Sequence, residues 1–317
     1  MTGGSSGVAA PVGVLVMSYG TPRGPDEIAS YYTHIRRGRP PTPEQLADLE
    51  ARYQAIGGSS PLRERTEAQR ARLAAALEEE APGRFVTAFG MKHADPFIED
   101  GVAALGDDGV AGIVGLVLAP HYSRGSVGEY LSRVEAAATE RNLPAVGVES
   151  WRALPALIDF LADAVGSELA RLPERTKLVF TAHSLPERAL VDDPYPDELR
   201  RSGEAVALRL GLDRWAGWGL AWQSAGRTPE PWRGPDILQV IDDLADTGRA
   251  DGVVVCPQGF TADHLEVLYD LDIEARQRAA ERGLAFARTR SVNDDPGVFA
   301  DLAGVVIESA AKLPLLV

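Results

Sequence analysis

Short runs of valine, isoleucine and leucine alternate along the chain with longer stretches in which apolar and polar residues recur at helical spacing. The runs predict strands over 13–17, 84–88, 113–119, 177–181, 217–222 and 252–256. The stretches between them predict helices, for example over 42–55 and 64–80. Strands that are apolar nearly end to end, separated by helices, belong to a parallel sheet covered on both faces. Ligands in such α/β folds bind at the carboxyl ends of the strands.

The two halves resemble each other. "VLVMSYGTP" at 14–22 resembles "LVFTAHSLP" at 178–186, "FVTAFGMKHADPF" at 85–97 resembles "LAWQSAGRTPEPW" at 220–232, and "VGLVLAPHYS" at 114–123 resembles "GVVVCPQGFT" at 252–261. Three pairs in the same order indicate a duplicated α/β unit. The chain therefore reads as two similar Rossmann-like domains, 1–150 and 151–317, each a parallel sheet flanked by helices. The join falls near 148–157, and the C-terminal helix packs back on the first domain. The cleft between them should gather Tyr19, His121, His183, Gln223 and Phe260 from the strand ends.

Composition sharpens this. The 317 residues are 45% hydrophobic and 25% charged, enough apolar material for a sizeable core. A formal charge of −14 excludes a general nucleic-acid binder, which needs a basic face. The single cysteine, Cys256, rules out a disulfide within the chain and any cluster needing several of its cysteines, and suits a reducing compartment. It lies in an apolar run and reads as a buried small hydrophobe. The first twenty residues show no basic leader, and their apolar run is too short to span a membrane. They read as a flexible lead and a first strand, and the apolar "KLPLLV" at the C-terminus as a tail packed on the body. The expected location is the cytoplasm.

Candidate chemistry concentrates in "VVVCPQGFTADHLEVLYDLDIEAR", 253–276. Glu266, Asp270 and Glu274 follow at four-residue spacing, each step only about 40° further round an α-helix. Like charges so placed repel. No Lys or Arg lies three or four positions from Glu266 or Asp270, whereas Glu274 has Arg278. A solvated helix face is one reading, with Asp263 and Glu266 favoured by the helix N-terminus. That reading leaves Asp270 unexplained. His183 ends the strand "KLVFTA" and either ties down a loop or works with the acidic row. An imidazole with carboxylates can hold a divalent first-row metal or accept protons. There is no HExxH and no cysteine-rich set for a tight structural zinc site.

A basic segment, "HIRRGRPP" at 34–41, is followed by Arg52, Tyr53, Arg63 and Arg65. It is either a solvated loop or a rim for an anionic ligand, since arginine forks bind carboxylates bidentately. "GGSSPL" at 57–62 lacks the phosphate-loop pattern.

These segments together resemble the ferrochelatases. "VLVMSYGTP", "YYTHIRRGRPPTPEQLADLEARYQAIGGSSPL", "TAHSLPER", "WQSAGRTPEPWRGPD" and "PQGFTADHLEVLYDLDIE" carry the resemblance in order from Val14 to about Glu274. The bacterial coproporphyrin III ferrochelatases of Gram-positive and actinobacterial type are the nearest match. The resemblance implies insertion of Fe(II), as substrate, into coproporphyrin III, giving coproheme and two protons. Protoporphyrin IX as substrate, or a carrier that binds without metallation, are the alternatives.

It implies that His183 and Glu266 carry the metal and proton chemistry, and that Asp270 and Glu274 extend a line for metal arrival or proton exit. It implies that Tyr19 lies near the iron of bound product, and that Arg36, Arg52, Tyr53, Ser60 and Tyr130 contact the tetrapyrrole or its propionates. The polar, Arg-rich lip 35–53 favours the substrate with four propionates. The resemblance further implies a monomer with no permanently bound cofactor and a transient handover to a coproheme decarboxylase. Related enzymes that bind an iron–sulfur cluster use several cysteines; with Cys256 alone this chain has no such ligand set.

Overall fold

The structure, a computed structural model, describes residues 10–212, 217–226 and 228–314. The expected N-terminal lead, 1–9, and the end of the expected C-terminal tail, 315–317, lie outside the described residues.

Strands β1 (Val12–Ser18), β2 (Phe85–Met91), β3 (Ile113–Val117) and β4 (Ala145–Val148) form one sheet in the order β2-β1-β3-β4. Strands β5 (Thr176–His183), β6 (Trp218–Gln223), β7 (Gly252–Cys256) and β8 (Ala285–Arg288) form a second in the order β6-β5-β7-β8. All pairings are parallel, with Val14 opposite Thr87 and Val114, and Val179 opposite Gly219 and Val255. The repeated segments occupy equivalent strands: β1 and β5, β2 and β6, β3 and β7. The predicted α/β class and parallel sheets are therefore what the molecule has.

Two strands escaped the pattern. β4 is "AVGV" and β8 is "AFAR". Each is four residues long, half-exposed over most of its length, and paired on one side. An edge strand of that length needs no continuous apolar run.

The central strands do need one. In β1 every residue is buried. Val12, Val14 and Val16 face a core shared with Leu73 and Leu77 of the helix Leu62–Glu80, while Leu15 and Met17 face Ile98, Val102 and Leu105 of the helix Ile98–Asp107. Side chains alternate across a strand, so burial on both faces demands apolar residues at consecutive positions. Each such side chain contributes about 1.5–3 kcal/mol of transfer free energy.

The shared core is continuous between the sheets. It takes in Phe180 of β5, Val254 and Cys256 of β7, and Phe299, Leu302 and Val306 of the helix Pro296–Ala310. Asp295 caps that helix, accepting from the N–H groups of Gly297 at 3.0 Å and Val298 at 3.1 Å. The helix packs against Leu62–Glu80 and reaches β3 and β4 of the first sheet. Beyond it Leu313 is buried in the same core. Among the described residues no helix is long and apolar enough to cross a membrane.

The chain leaves β1 and β3 toward opposite sides of the first sheet, and β5 and β7 likewise in the second. These are the switch points at which α/β sheets bind ligands. Tyr19 and His121 follow the first pair; His183 ends β5, and Phe260 follows β7.

Candidate active site

A cavity of about 520 Å³ lies between the two sheets' carboxyl ends, a volume typical of small-molecule sites. Tyr19, His121, His183 and Phe260 line it, together with Arg52, Tyr53, Ser60, Tyr130, Glu266 and Asp270. Gln223 lies just behind this wall, fully buried, its amide donating to the backbone oxygen of Glu266 at 3.3 Å.

The first half supplies aromatic surface. Tyr19 emerges from β1 and is 42% exposed. Its neighbour Gly20 has a φ of +95°, a left-handed conformation that favours glycine, and a Cβ there would stand 3.0 Å from Ala94. The helix Pro43–Ala55 begins with a capping box in which Thr42 and Gln45 bond reciprocally. It carries Arg52 and Tyr53 to the cavity; the hydroxyls of Tyr53 and Thr21 are 3.1 Å apart. Ser60 accepts from the N–H of Leu62 at 3.3 Å as the next helix begins. Tyr130 projects from the helix Val127–Glu140. Burial raises the pKa of Tyr130 and pushes Tyr53 up to about 12, so both remain neutral phenols.

The second half supplies the titratable groups. His183 Nδ1 hydrogen-bonds the carbonyl oxygen of Ser184. A carbonyl only accepts, so Nδ1 carries the proton and Nε2 of the neutral ring keeps its lone pair. Nε2 lies 3.7 Å from Oε1 of Glu266. The other carboxylate oxygen, Oε2, lies 3.6 Å from Nε2 of His264, whose Nδ1 donates to Ala262 O at 3.0 Å. One carboxylate is thus held between two imidazoles. Burial alone would push Glu266 up, but once His183 takes a proton its charge, with the bond and charge of His264, brings the Glu266 pKa down to about 2. His264 is lowered by burial but raised in sum by its bond to Glu266.

Asp270 behaves differently. Burial and the neighbouring Glu266 charge raise its pKa to about 6, against the opposing pull of Ser224 and Arg52. Its Oδ2 accepts from Ser224 Oγ and from Gln223 Nε2, and its Oδ1 from Arg52 Nη1 at 3.4 Å. Two carboxylates one helical turn apart are therefore tuned in opposite directions.

The segment bearing them is not the regular α-helix that the spacing suggested. Val267–Ala275 is a π-helix, a rare form frequently found at functional sites. Its turns are wider, so residues four apart fall slightly short of a full turn rather than slightly past it. The acidic residues still share a face.

The row is also less isolated than its local spacing implied. The partners of Glu266 and Asp270 come from β5, from the loop before the π-helix, from the turn after β6 and from the first half of the chain. Asp263 serves the scaffold, accepting from Arg288, Ser291 and Asn293. Glu274 lies beyond the residues that line the cavity. Arg36 does too: it ends the helix Ile28–Ile35, its guanidinium 5.7 Å from the centre of the Tyr32 ring. Of the basic residues in 34–52, only Arg52 reaches the cavity wall.

Sequence reasoning passed over His264, Ser224 and Lys92, which all line the cavity. Lys92 Nζ donates to Glu129 Oε2 at 2.8 Å. Lys92 and Ser224 directly follow the ends of β2 and β6, which is the signal that could have found them. Among the described residues no three or more His, Cys, Asp and Glu side chains converge as a metal cage.

Comparison with known proteins places the chain in a family. The family model described as Ferrochelatase matches residues 11–310. A ferrochelatase of Herpetosiphon aurantiacus is 42% identical over 95% of this chain and 99% of its own. A coproporphyrin III ferrochelatase of Geobacillus kaustophilus is 43% identical over 96% of this chain and 98% of its own. The crystal structure of the sirohydrochlorin chelatase SirB from Bacillus subtilis subspecies spizizenii, in complex with cobalt, shares the fold at a TM-score of 0.53 and 12% identity, covering 95% of this chain and 96% of that one. From a family match over almost its entire length, and from relatives of this identity, it follows that the chain belongs to the ferrochelatase family.

Proposed function

We propose that the protein inserts Fe(II) into coproporphyrin III, releasing two protons. The observation that carries this reading is the His183–Glu266 pair, a free imidazole lone pair 3.7 Å from a carboxylate inside a cavity walled by phenols. The name of the Geobacillus kaustophilus relative supports the choice of porphyrin. So do Arg52 and Lys92, which offer positive charge to propionates.

In this account the porphyrin lies in the cavity with Tyr19 on the side of the first sheet and His183 on the side of the second. His183 Nε2 takes the first pyrrole proton as the metal approaches. Glu266, held ionised at low pKa, attracts Fe(II) and steadies the imidazolium that forms. A ligand set of one imidazole and carboxylates is loose enough to give its iron away, where a thiolate cage would retain it. Asp270, titrating near 6, is the better proton acceptor of the row and passes protons toward Glu274 and solvent. Tyr53, Ser60 and Tyr130 bound the macrocycle, Arg52 binds a propionate, and Arg36 stands at the rim. Two N–H bonds break and their protons leave, all four ring nitrogens bind the iron, and no electron is transferred.

The same reading takes the chain as two domains, 1–150 and 151–317, working as a cytoplasmic monomer that needs no resident cofactor and hands its product to a decarboxylase. Anaerobic Fe(II) insertion followed by absorbance, coproporphyrin III against protoporphyrin IX, tests the substrate. The expected outcome is a clear preference for coproporphyrin III; equal or greater turnover of protoporphyrin IX would overturn the choice.

A further inference from the structure

Arg52 and Lys92 are the arginine and lysine side chains on the described cavity wall, and their situations differ. Lys92 is bonded to Glu129 and lies over the Tyr130 ring, 5.1 Å from its centre. Arg52 is divided between two carboxylates. Its Nη1 reaches Asp270 Oδ1 at 3.4 Å, and its Nε stands 3.3 Å from Asp48 Oδ2. That Nε is shielded from solvent and makes no aligned hydrogen bond. The guanidinium lies over Tyr269, 4.7 Å from the ring centre, so its plane is already fixed. A guanidinium binds one carboxylate best through two parallel N–H bonds, and neither aspartate engages it that way. Asp270 does not depend on it, because Ser224 and Gln223 hold the opposite oxygen.

We propose that Arg52 is an exchange latch: a carboxylate of the substrate takes its fork and displaces Asp270. The proposal rests on the reading that the ligand is an anionic porphyrin. The Arg52–Asp270 contact ties the helix Pro43–Ala55 to the π-helix across the cavity. A ligand carrying a carboxylate at the right place releases that tie and leaves Oδ1 of Asp270 without its guanidinium. A ligand lacking one must either leave the tie in place or break it without compensation. Arg52 thereby selects for a carboxylate at this edge of the ring and couples its arrival to the acidic row.

The test is a metal-free fluorescence titration of coproporphyrin III on the wild type, Asp270→Asn, Arg52→Ala and the double variant. Removing the competitor is expected to tighten porphyrin binding about two- to fivefold, the worth of a partly exposed ion pair. Arg52→Ala is expected to weaken binding, and in that background Asp270→Asn should change the affinity less than about twofold, as for uncoupled sites. If Arg52→Ala does not fold, Arg52→Gln, neutral and of similar reach, closes the same cycle. Unchanged affinity in Asp270→Asn would overturn the latch. So would an equal gain with and without Arg52, which is the field effect of one charge fewer. A wild type that binds no porphyrin would remove the underlying reading and the latch together.

Discussion

His183 Nε2 and Glu266 Oε1 lie 3.7 Å apart although one ends β5 and the other enters the π-helix after β7. The same carboxylate meets His264 on its other oxygen. Against burial, its hydrogen bond and charge do most to raise the pKa of His264, with help from the Ala262 carbonyl and Asp270. Glu266→Gln should lower the His264 pKa, read by NMR titration of the imidazole. An unmoved titration would mean that the two groups are not electrically coupled.

Asp270 predicts a pH-dependent stability. Its pKa is raised from the ordinary 3.8 to about 6, so the folded state binds this proton more tightly than the unfolded chain. Stability is lost as pH rises through that window, and above it the full penalty applies. Asp270→Asn lacks the penalty, worth at most about 3 kcal/mol. Thermal unfolding should show the variant gaining over wild type at pH 8 and little or nothing at pH 4.

The end of β5 sits against the loop that follows β7. A Cβ on Gly259 would come within 2.5 Å of Ala182 Cβ, next to His183. Gly259→Ala should cost about 1–3 kcal/mol, as overpacking does. It should lower metallation more than porphyrin binding, because the displaced strand end carries the base. Wild-type stability and rate together would contradict that packing.

Phe299 is fully buried in the core that joins the two sheets. Phe299→Ala should destabilise by about 3–5 kcal/mol and leave one cooperative transition in calorimetry. Two separated transitions would show that the halves unfold independently.

The fold was legible where burial was complete, and also in β2 and β6, partly buried edge strands long enough to carry an apolar run. β1, β3, β5 and β7 are internal strands buried on both faces or nearly so, and their apolar runs announced them. β4 and β8 were not, because short edge strands carry no such run. The site was legible in part. Strand-end logic brought Tyr19, His121, His183 and Phe260 to one cavity. The partners of the acidic row were invisible to helical spacing, since Arg52 stands 218 residues before Asp270. His264 precedes Glu266 by two positions, a separation that shares no helix face, and the π-helix alters the spacing rule itself. Arg36 was carried over by resemblance; its helix ends at the lip and leaves it outside the wall.

The most direct test of the account is single-turnover Fe(II) insertion into bound coproporphyrin III by wild type and His183→Ala under anaerobic conditions. The account predicts that the variant still binds the porphyrin while insertion falls by about a hundredfold or more, the scale of a lost general base. Insertion at the wild-type rate in His183→Ala would contradict it and move the proton chemistry elsewhere in the cavity.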